Sequence, residues 1–152
     1  VTQQLILVRG LPGSGKTTYV KKQMEIGEDL WVCDHYEDDM FFGDEDNYQW
    51  NGNLIRFADE WCFSSTVRAL HLGVDVVFVS NTFVTNYEMR RYLELVKDIS
   101  FPNLLIEVHE MPLDDLFPNV HGVPADKIAA RRKMWEEIGE WGPRVKVKKV
   151  ER

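Results

Sequence analysis

Hydrophobic residues fall along this chain in two alternating rhythms. Short apolar runs at residues 5–8, 30–33, 76–79 and 104–108, the last interrupted only by Glu107, have the length and density of buried strands. Between them, apolar residues recur every third or fourth position, as in a helix with one buried face. A first helix is predicted over residues 16–25, stopping near Gly27, a natural C-cap. A second, over 51–72, lines up Leu54, Ala58, Trp61, Cys62, Ser65 and Ala69 and is closed by Gly73, which assigns Trp61 to the core. A third, over 86–99, turns Met89, Leu93 and Val96 inward and Arg90, Arg91 and Lys97 outward, and Pro102 bars its continuation. A fourth, over 125–138, carries Asp126 where the helix dipole favours it and Arg131, Arg132 and Lys133 in its middle. Strand–helix alternation requires crossover connections, so the expected fold is α/β, a parallel sheet with helices on both faces. One domain is expected to fill residues 1–152, with 1–4 and 144–152 as tails. Residues 144–150 alternate charge with valine, the pattern of a short edge strand.

Two stretches break the rhythm. Residues 38–53 are acidic, aromatic and glycine-punctuated (Met40, Phe41, Phe42, Gly43, Tyr48, Trp50) and read as a loop or lid. Residues 112–124 are irregular and end in His121-Gly122-Val123-Pro124.

Two residues after the end of the first apolar run begins Gly10-Leu11-Pro12-Gly13-Ser14-Gly15-Lys16-Thr17, an unbroken G-x-x-x-x-G-K-[ST], followed by Thr18. Its glycines let the backbone curl so that several N–H groups point at one anion. Lys16 reaches the β- and γ-phosphates of a nucleoside triphosphate, the Thr17 hydroxyl ligates Mg²⁺, and the helix beginning here aims its positive end at the same charge. The nucleotide-binding set is therefore Gly10, Pro12, Gly13, Ser14, Gly15, Lys16, Thr17 and Thr18, with Thr17 as the metal ligand, and the expected sheet is of the P-loop NTPase type. No N-K-x-D guanine-reading motif is present, and 152 residues leave no room for a long coupling domain. A small phosphoryl-transfer enzyme remains, which needs a cradle, Mg²⁺, cations and a base for the acceptor hydroxyl. Asp34, directly after the run 30–33, is the first candidate for that base, because ligands of open α/β sheets sit beyond the carboxyl ends of strands. A lone Asp there is otherwise a turn cap.

Composition narrows the setting. A 44% apolar and 28% charged chain is an ordinary globule, and two cysteines, Cys33 and Cys62, make no disulfide framework. With no signal pattern at its start and no bilayer-length apolar run, the chain is expected in the cytoplasm, without membrane contact. A net charge of -7 argues against a broad grip on nucleic acid, but not against a strand end held in a local pocket. Glu37, Asp38, Asp39, Asp44, Glu45 and Asp46 crowd one segment; Arg144, Lys146, Lys148, Lys149 and Arg152 crowd the tail. Solvated surface is the plain reading of both runs.

The P-loop together with Asp34-His35-Tyr36, Tyr48-Gln49-Trp50, Asn81-Thr82, Tyr87-Glu88-Met89 with Tyr92, and Asn119-Val120-His121-Gly122-Val123-Pro124 with Ile128 resembles the polynucleotide-kinase-like P-loop kinases, over residues 5–138. The resemblance implies transfer of the ATP γ-phosphate to a hydroxyl, commonly the 5′-hydroxyl of DNA or RNA. It implies that Lys16 and Thr17 hold ATP and Mg²⁺ and that an Asp after the second strand is the general base. Either Asp34 or the first residue of Asp38-Asp39-Met40-Phe41 matches that position. Two departures stand out. Ser80-Asn81-Thr82-Phe83 stands where most relatives carry an Asp in or beside the Asn-Thr pair, and Pro118 stands where they carry a lid arginine, with Arg131 and Arg132 of the following helix as the candidates for its charge. A kinase of a small-molecule or modified-base hydroxyl, and a nucleotide-binding module without catalysis, are the alternatives. Neither His121 nor the pair Trp135 and Trp141 is assigned a catalytic role, and the oligomeric state is left open.

Overall fold

The strand that carries the Gly-rich loop lies at the centre of the sheet, as its composition requires. Leu5, Leu7 and Val8 of β1 (Gln4–Arg9) are fully buried. The computed structural model describes residues 2–44, 46–119 and 121–151; Glu45, Val120 and Arg152 of the motifs above lie outside the described residues. β1 pairs in parallel with β3 (Val76–Asn81) on one side and β4 (Leu105–Glu110) on the other. β2 (Cys33–Tyr36) adds beyond β3 and β5 (Val145–Lys149) beyond β4, giving the all-parallel order β2-β3-β1-β4-β5. This is the P-loop NTPase-type sheet expected.

Successive side chains of a strand point to opposite faces, and each face has its own cover. Leu5, Leu7, Val77, Val79, Ile106 and Val108 pack with Cys62, Ala69 and Leu70 of α2 (Ile55–His71) and Met89 and Leu93 of α3 (Asn86–Leu93). Ile6, Val8, Val76 and Phe78 pack with Val20 of α1 (Lys16–Gly27) and with Met111.

Several boundaries differ from the periodicity, and α2 begins at Ile55 rather than at residue 51, after a 3₁₀ turn, Gly52–Leu54. The second strand is Cys33–Tyr36, not 30–33, and Leu30, Trp31 and Val32 are exposed. The N–H groups of Leu30 and Trp31 both donate to the Gly27 carbonyl and close the end of α1, so strand pairing starts later. β4 extends through His109, which lies inside the strand and bonds the Tyr19 hydroxyl at 2.7 Å. α3 stops at Leu93 and passes into a 3₁₀ turn, Glu94–Lys97, leaving Ile99 exposed. α4 (Ala125–Met134) ends four residues early. There the Glu136 N–H donates to the Val84 carbonyl and Asn86 captures Glu136 and Glu137, which pulls the chain across the sheet. Trp141 packs on the core.

A charged residue pins the carboxyl end of β1. Arg9 is completely buried, donates to Glu110 of β4 at 2.7 Å and to the Phe83 and Val84 carbonyls, and lies 3.8 Å from the Trp135 ring centroid. Each of its three guanidinium nitrogens thereby finds an acceptor, which makes the burial tolerable. The residue before the Gly-rich loop is thus tied to β4, to the segment after β3 and to the chain after α4.

Candidate functional site

The loop from Gly10 to Thr17 curls because two glycines take left-handed backbone, Gly13 at φ +86° and Gly15 at φ +89°. A Cβ on Gly13 would also sit 2.2 Å from the Phe117 carbonyl oxygen, since the Phe117 N–H donates to the Gly13 carbonyl at 2.7 Å. Gly15 is the N-cap of α1. Lys16 folds back over its own loop and donates to the Gly10 and Leu11 carbonyls at 2.9 and 3.1 Å. Burial lowers its pKa to about 8, against the upward pull of Glu37 and Asp39. A polyanion that neutralised this ammonium would raise the value again.

Beyond the carboxyl ends of the strands lies a cavity of about 650 Å³. Pro12, Gly13, Gly15, Lys16, Thr17 and Thr18 form one wall; residues 37–39, 80–82, 117–119 and 121–124, the aromatic residues Phe42, Tyr48 and Trp50, and Lys127 and Arg131 form most of the rest. Gly10 and Ser14, both buried, do not line the cavity. The six lining residues of the predicted nucleotide set are thus brought together.

The carboxylates separate. Asp34 lies within β2 rather than beyond it, accepts from the Tyr36 hydroxyl at 3.3 Å and does not line the cavity. The later start of the strand moves its carboxyl edge three residues on, to Glu37. Asp38 opens a 3₁₀ turn, Asp38–Phe42, and is held by Asn81, which accepts from its N–H at 2.9 Å and donates to Oδ1 at 3.2 Å. Burial, then the neighbouring Asp59 carboxyl, pushes Asp38 up to about 8. Asp38 also lines a second cavity, of about 860 Å³, and Asn81 and Thr82 belong to both. Asp39 accepts from the Tyr48 hydroxyl at 2.9 Å and meets His121 Nε2 at 3.4 Å, while the Tyr48 and His121 rings stack at 4.3 Å. Burial and Asp39 together raise the Tyr48 hydroxyl pKa.

The two arginines of α4 also part. Arg131 lines the cavity with Nη1 3.4 Å from Thr82 Oγ1, whereas Arg132 turns out to Asp114 at 2.6 Å. Thr17 Oγ1 donates to Glu37 Oε2 at 3.1 Å. No group of three His, Cys, Asp or Glu capable of holding a metal occurs among the described residues. The hydroxyl and carboxylate at Thr17 fit a hard cation that takes its other ligands from phosphates and water. Glu37, Asp59 and the Tyr48–His121 stack escaped the sequence reading. Asp38-Asp39-Met40-Phe41 was the one local signal pointing to the carboxylates that line the cavity. No helix among the described residues is long and apolar enough to cross a membrane.

Comparison with known proteins bears on the family and the fold. A family model described as an AAA domain matches residues 5–121. Human NEDD4-binding protein 2 is 27% identical over 128 residues, 82% of this chain and 7% of that protein, so the chain spans a small fraction of that relative's length. A chain in the structure of the Pnkp1/Rnl/Hen1 RNA repair complex superposes with a TM-score of 0.59 at 16% identity, covering 88% of this chain and 44% of its own. A fungal RNA kinase superposes with a TM-score of 0.59 at 12% identity, covering 99% and 38%. At such identities the two structures speak to the fold, which is the P-loop kinase-like one with its nucleotide-binding loop.

Proposed function

We propose, from the premise that the chain belongs to the AAA domain family, that it is an ATP- and Mg²⁺-dependent kinase that phosphorylates a hydroxyl, in the first place the 5′-hydroxyl of a polynucleotide. The observation that carries this reading is the position of Asp38 at the meeting of two cavities. One cavity is lined by the P-loop and suits the phosphate donor; the other, which shares Asp38, Asn81 and Thr82 with it, suits an acceptor. A base within hydrogen-bond reach of the acceptor hydroxyl, beside the path along which that hydroxyl meets the γ-phosphate, is what in-line transfer requires.

The residues divide the work as follows. The backbone N–H groups of the loop and Lys16 hold the β- and γ-phosphates. Lys127 and Arg131 face the same space from α4 and offset charge on the transferring group. Mg²⁺, when bound beside Thr17, neutralises phosphate charge. Asp38, in its deprotonated form, takes the proton of the acceptor hydroxyl. The acceptor oxygen bonds the γ-phosphorus, the bond from that phosphorus to the bridging oxygen breaks, and ADP leaves. The upward pKa of Asp38 makes it a stronger proton acceptor than an ordinary carboxylate. The aromatic and cationic lining of the second cavity, Phe57, Tyr87 and Arg56, suits the stacking and phosphate contacts of a strand end. The RNA repair and RNA kinase structures that share the fold favour the same acceptor.

A second reading, a small-molecule hydroxyl as acceptor, draws on Arg90 and Arg91. They line the second cavity but are paired with Glu94 and Glu60 at 2.9 and 2.8 Å, which reduces the charge offered to a strand. Incubation with γ-labelled ATP and Mg²⁺, against 5′-hydroxyl RNA and DNA oligonucleotides and a panel of nucleosides and alcohols, decides between them. Label on the oligonucleotides is the expected result. Label on small acceptors alone selects the second reading, and tight nucleotide binding with no label anywhere leaves a non-catalytic module.

A further inference from the structure

Glu37 stands directly after β2, and a single oxygen of its carboxylate gathers two hydroxyls. Oε2 accepts from Thr17 Oγ1 at 3.1 Å and from Ser80 Oγ at 2.9 Å. Ser80 Oγ is also 2.6 Å from His35 Nε2, which lies 3.7 Å from the same carboxylate oxygen. The Glu37 side chain is 18% exposed, and both it and Ser80 line the nucleotide cavity.

P-loop proteins hold their Mg²⁺ between the loop hydroxyl and a strand-end carboxylate. Here β3, the strand beside β1, ends in Ser80-Asn81, which bears no carboxylate at either position. The Ser80 hydroxyl instead binds a carboxylate that arrives from the next strand out. We propose that Glu37 supplies the anionic side of the divalent-cation site of the bound nucleotide, with Ser80 and His35 holding it against Thr17. The missing carboxylate of β3 is thereby replaced in space from β2. Hydroxyl and carboxylate oxygens are the donors that Mg²⁺ prefers, and with so few of them the cation needs nucleotide phosphates to complete its ligand shell. The inference rests on the P-loop cavity being a nucleotide site and makes no use of an acceptor.

The test measures ADP affinity of the full chain with Mg²⁺ and with chelator, alongside Mn²⁺ binding to the protein–ADP complex by electron paramagnetic resonance. Glu37→Gln is expected to retain its affinity for ADP in chelator and to lose about 10-fold or more in affinity for the divalent ion. Adding Ser80→Asp to that variant is expected to restore the dependence on the ion, because it returns a carboxylate to the same spot from β3. An unchanged Mg²⁺ effect in Glu37→Gln overturns the proposal. Should the single variant misfold, a double variant that binds ADP in chelator yet gains nothing from Mg²⁺ overturns it too. Failure of the kinase reading would appear separately, as a lack of labelled acceptor with the Mg²⁺ effect intact.

Discussion

The two walls of the nucleotide cavity are built on different principles. On one side the P-loop is eight consecutive residues, Gly10 to Thr17, between a fully buried strand and the first turn of α1, and its polar contacts are largely with itself. On the other side Glu37, Asp38, Asp39, Tyr48, His121 and Arg131 come from four separate segments, each held by a side-chain partner from elsewhere in the chain. Binding of the phosphates needs only local backbone shape and one ammonium. Selecting an acceptor and moving its proton needs groups that must meet across the fold. The first wall can therefore persist where the second differs, and the Ser80–Glu37 pair proposed above as the cation's anionic side belongs to the second.

The sharpest way to break this comparison is at the two aspartates. Asp38→Asn is expected to reduce phosphate transfer by about 100-fold while ADP affinity stays within a few fold, because it removes the proton acceptor and leaves the first wall untouched. Asp34→Asn, away from the cavity, should leave transfer within a few fold. A large loss at Asp34 and none at Asp38 would return the base to the strand. Single-turnover assays with the labelled acceptor measure both.

A smaller effect separates the arginines of α4. Loss of a charge-assisted hydrogen bond to phosphate is worth about 2 kcal/mol, or roughly 30-fold, so Arg131→Ala should lower transfer by that order. Arg132→Ala, whose charge is spent on Asp114 outside the cavity, should not. Equal losses in kcat/KM would show that α4 moves as a unit when nucleotide binds.

The smallest effect is on pH. In the free protein Lys16 loses its proton near pH 8, below the ordinary lysine value, because of burial. Bound phosphates hold it charged. Above about 8, binding must therefore take up a proton, and ADP affinity should fall by up to about tenfold per pH unit until the bound-state pKa is passed. Below about 8 this term is flat. Transfer runs the other way: it should rise as pH approaches the Asp38 value of about 8, and Asp59→Asn, which removes the neighbouring carboxyl, should move that rise to lower pH. Titration calorimetry and pH–rate profiles give the two curves.

How much was legible follows the same division. The strand and helix order, the buried alternation of Leu5 to Val8 and the loop that follows could be read from periodicity and spacing, since hydrophobic burial and backbone curl are set by near neighbours. Asp34 misled because Leu30 to Val32 looked like a strand. Their N–H groups instead close α1 or, at Val32, meet Asp75 of the neighbouring connection. Arg9 was invisible as a core residue because nothing in its own segment announces Glu110, a hundred residues away but beside it in the β1–β4 register. Glu37 looked like one charge in an acidic run until β3 brought Ser80 to it.

By itself, then, the sequence determined that a phosphate-binding loop sits on the central strand of a parallel sheet, because that loop is a contiguous set of residue types whose geometry is encoded within eight positions. Only the tertiary structure decided which carboxylate faces the loop, which arginine covers it and which carboxylate reaches the Thr17 hydroxyl. Those choices depend on where a strand starts by two or three residues and on contacts between segments far apart in the chain, and no local pattern carries that information.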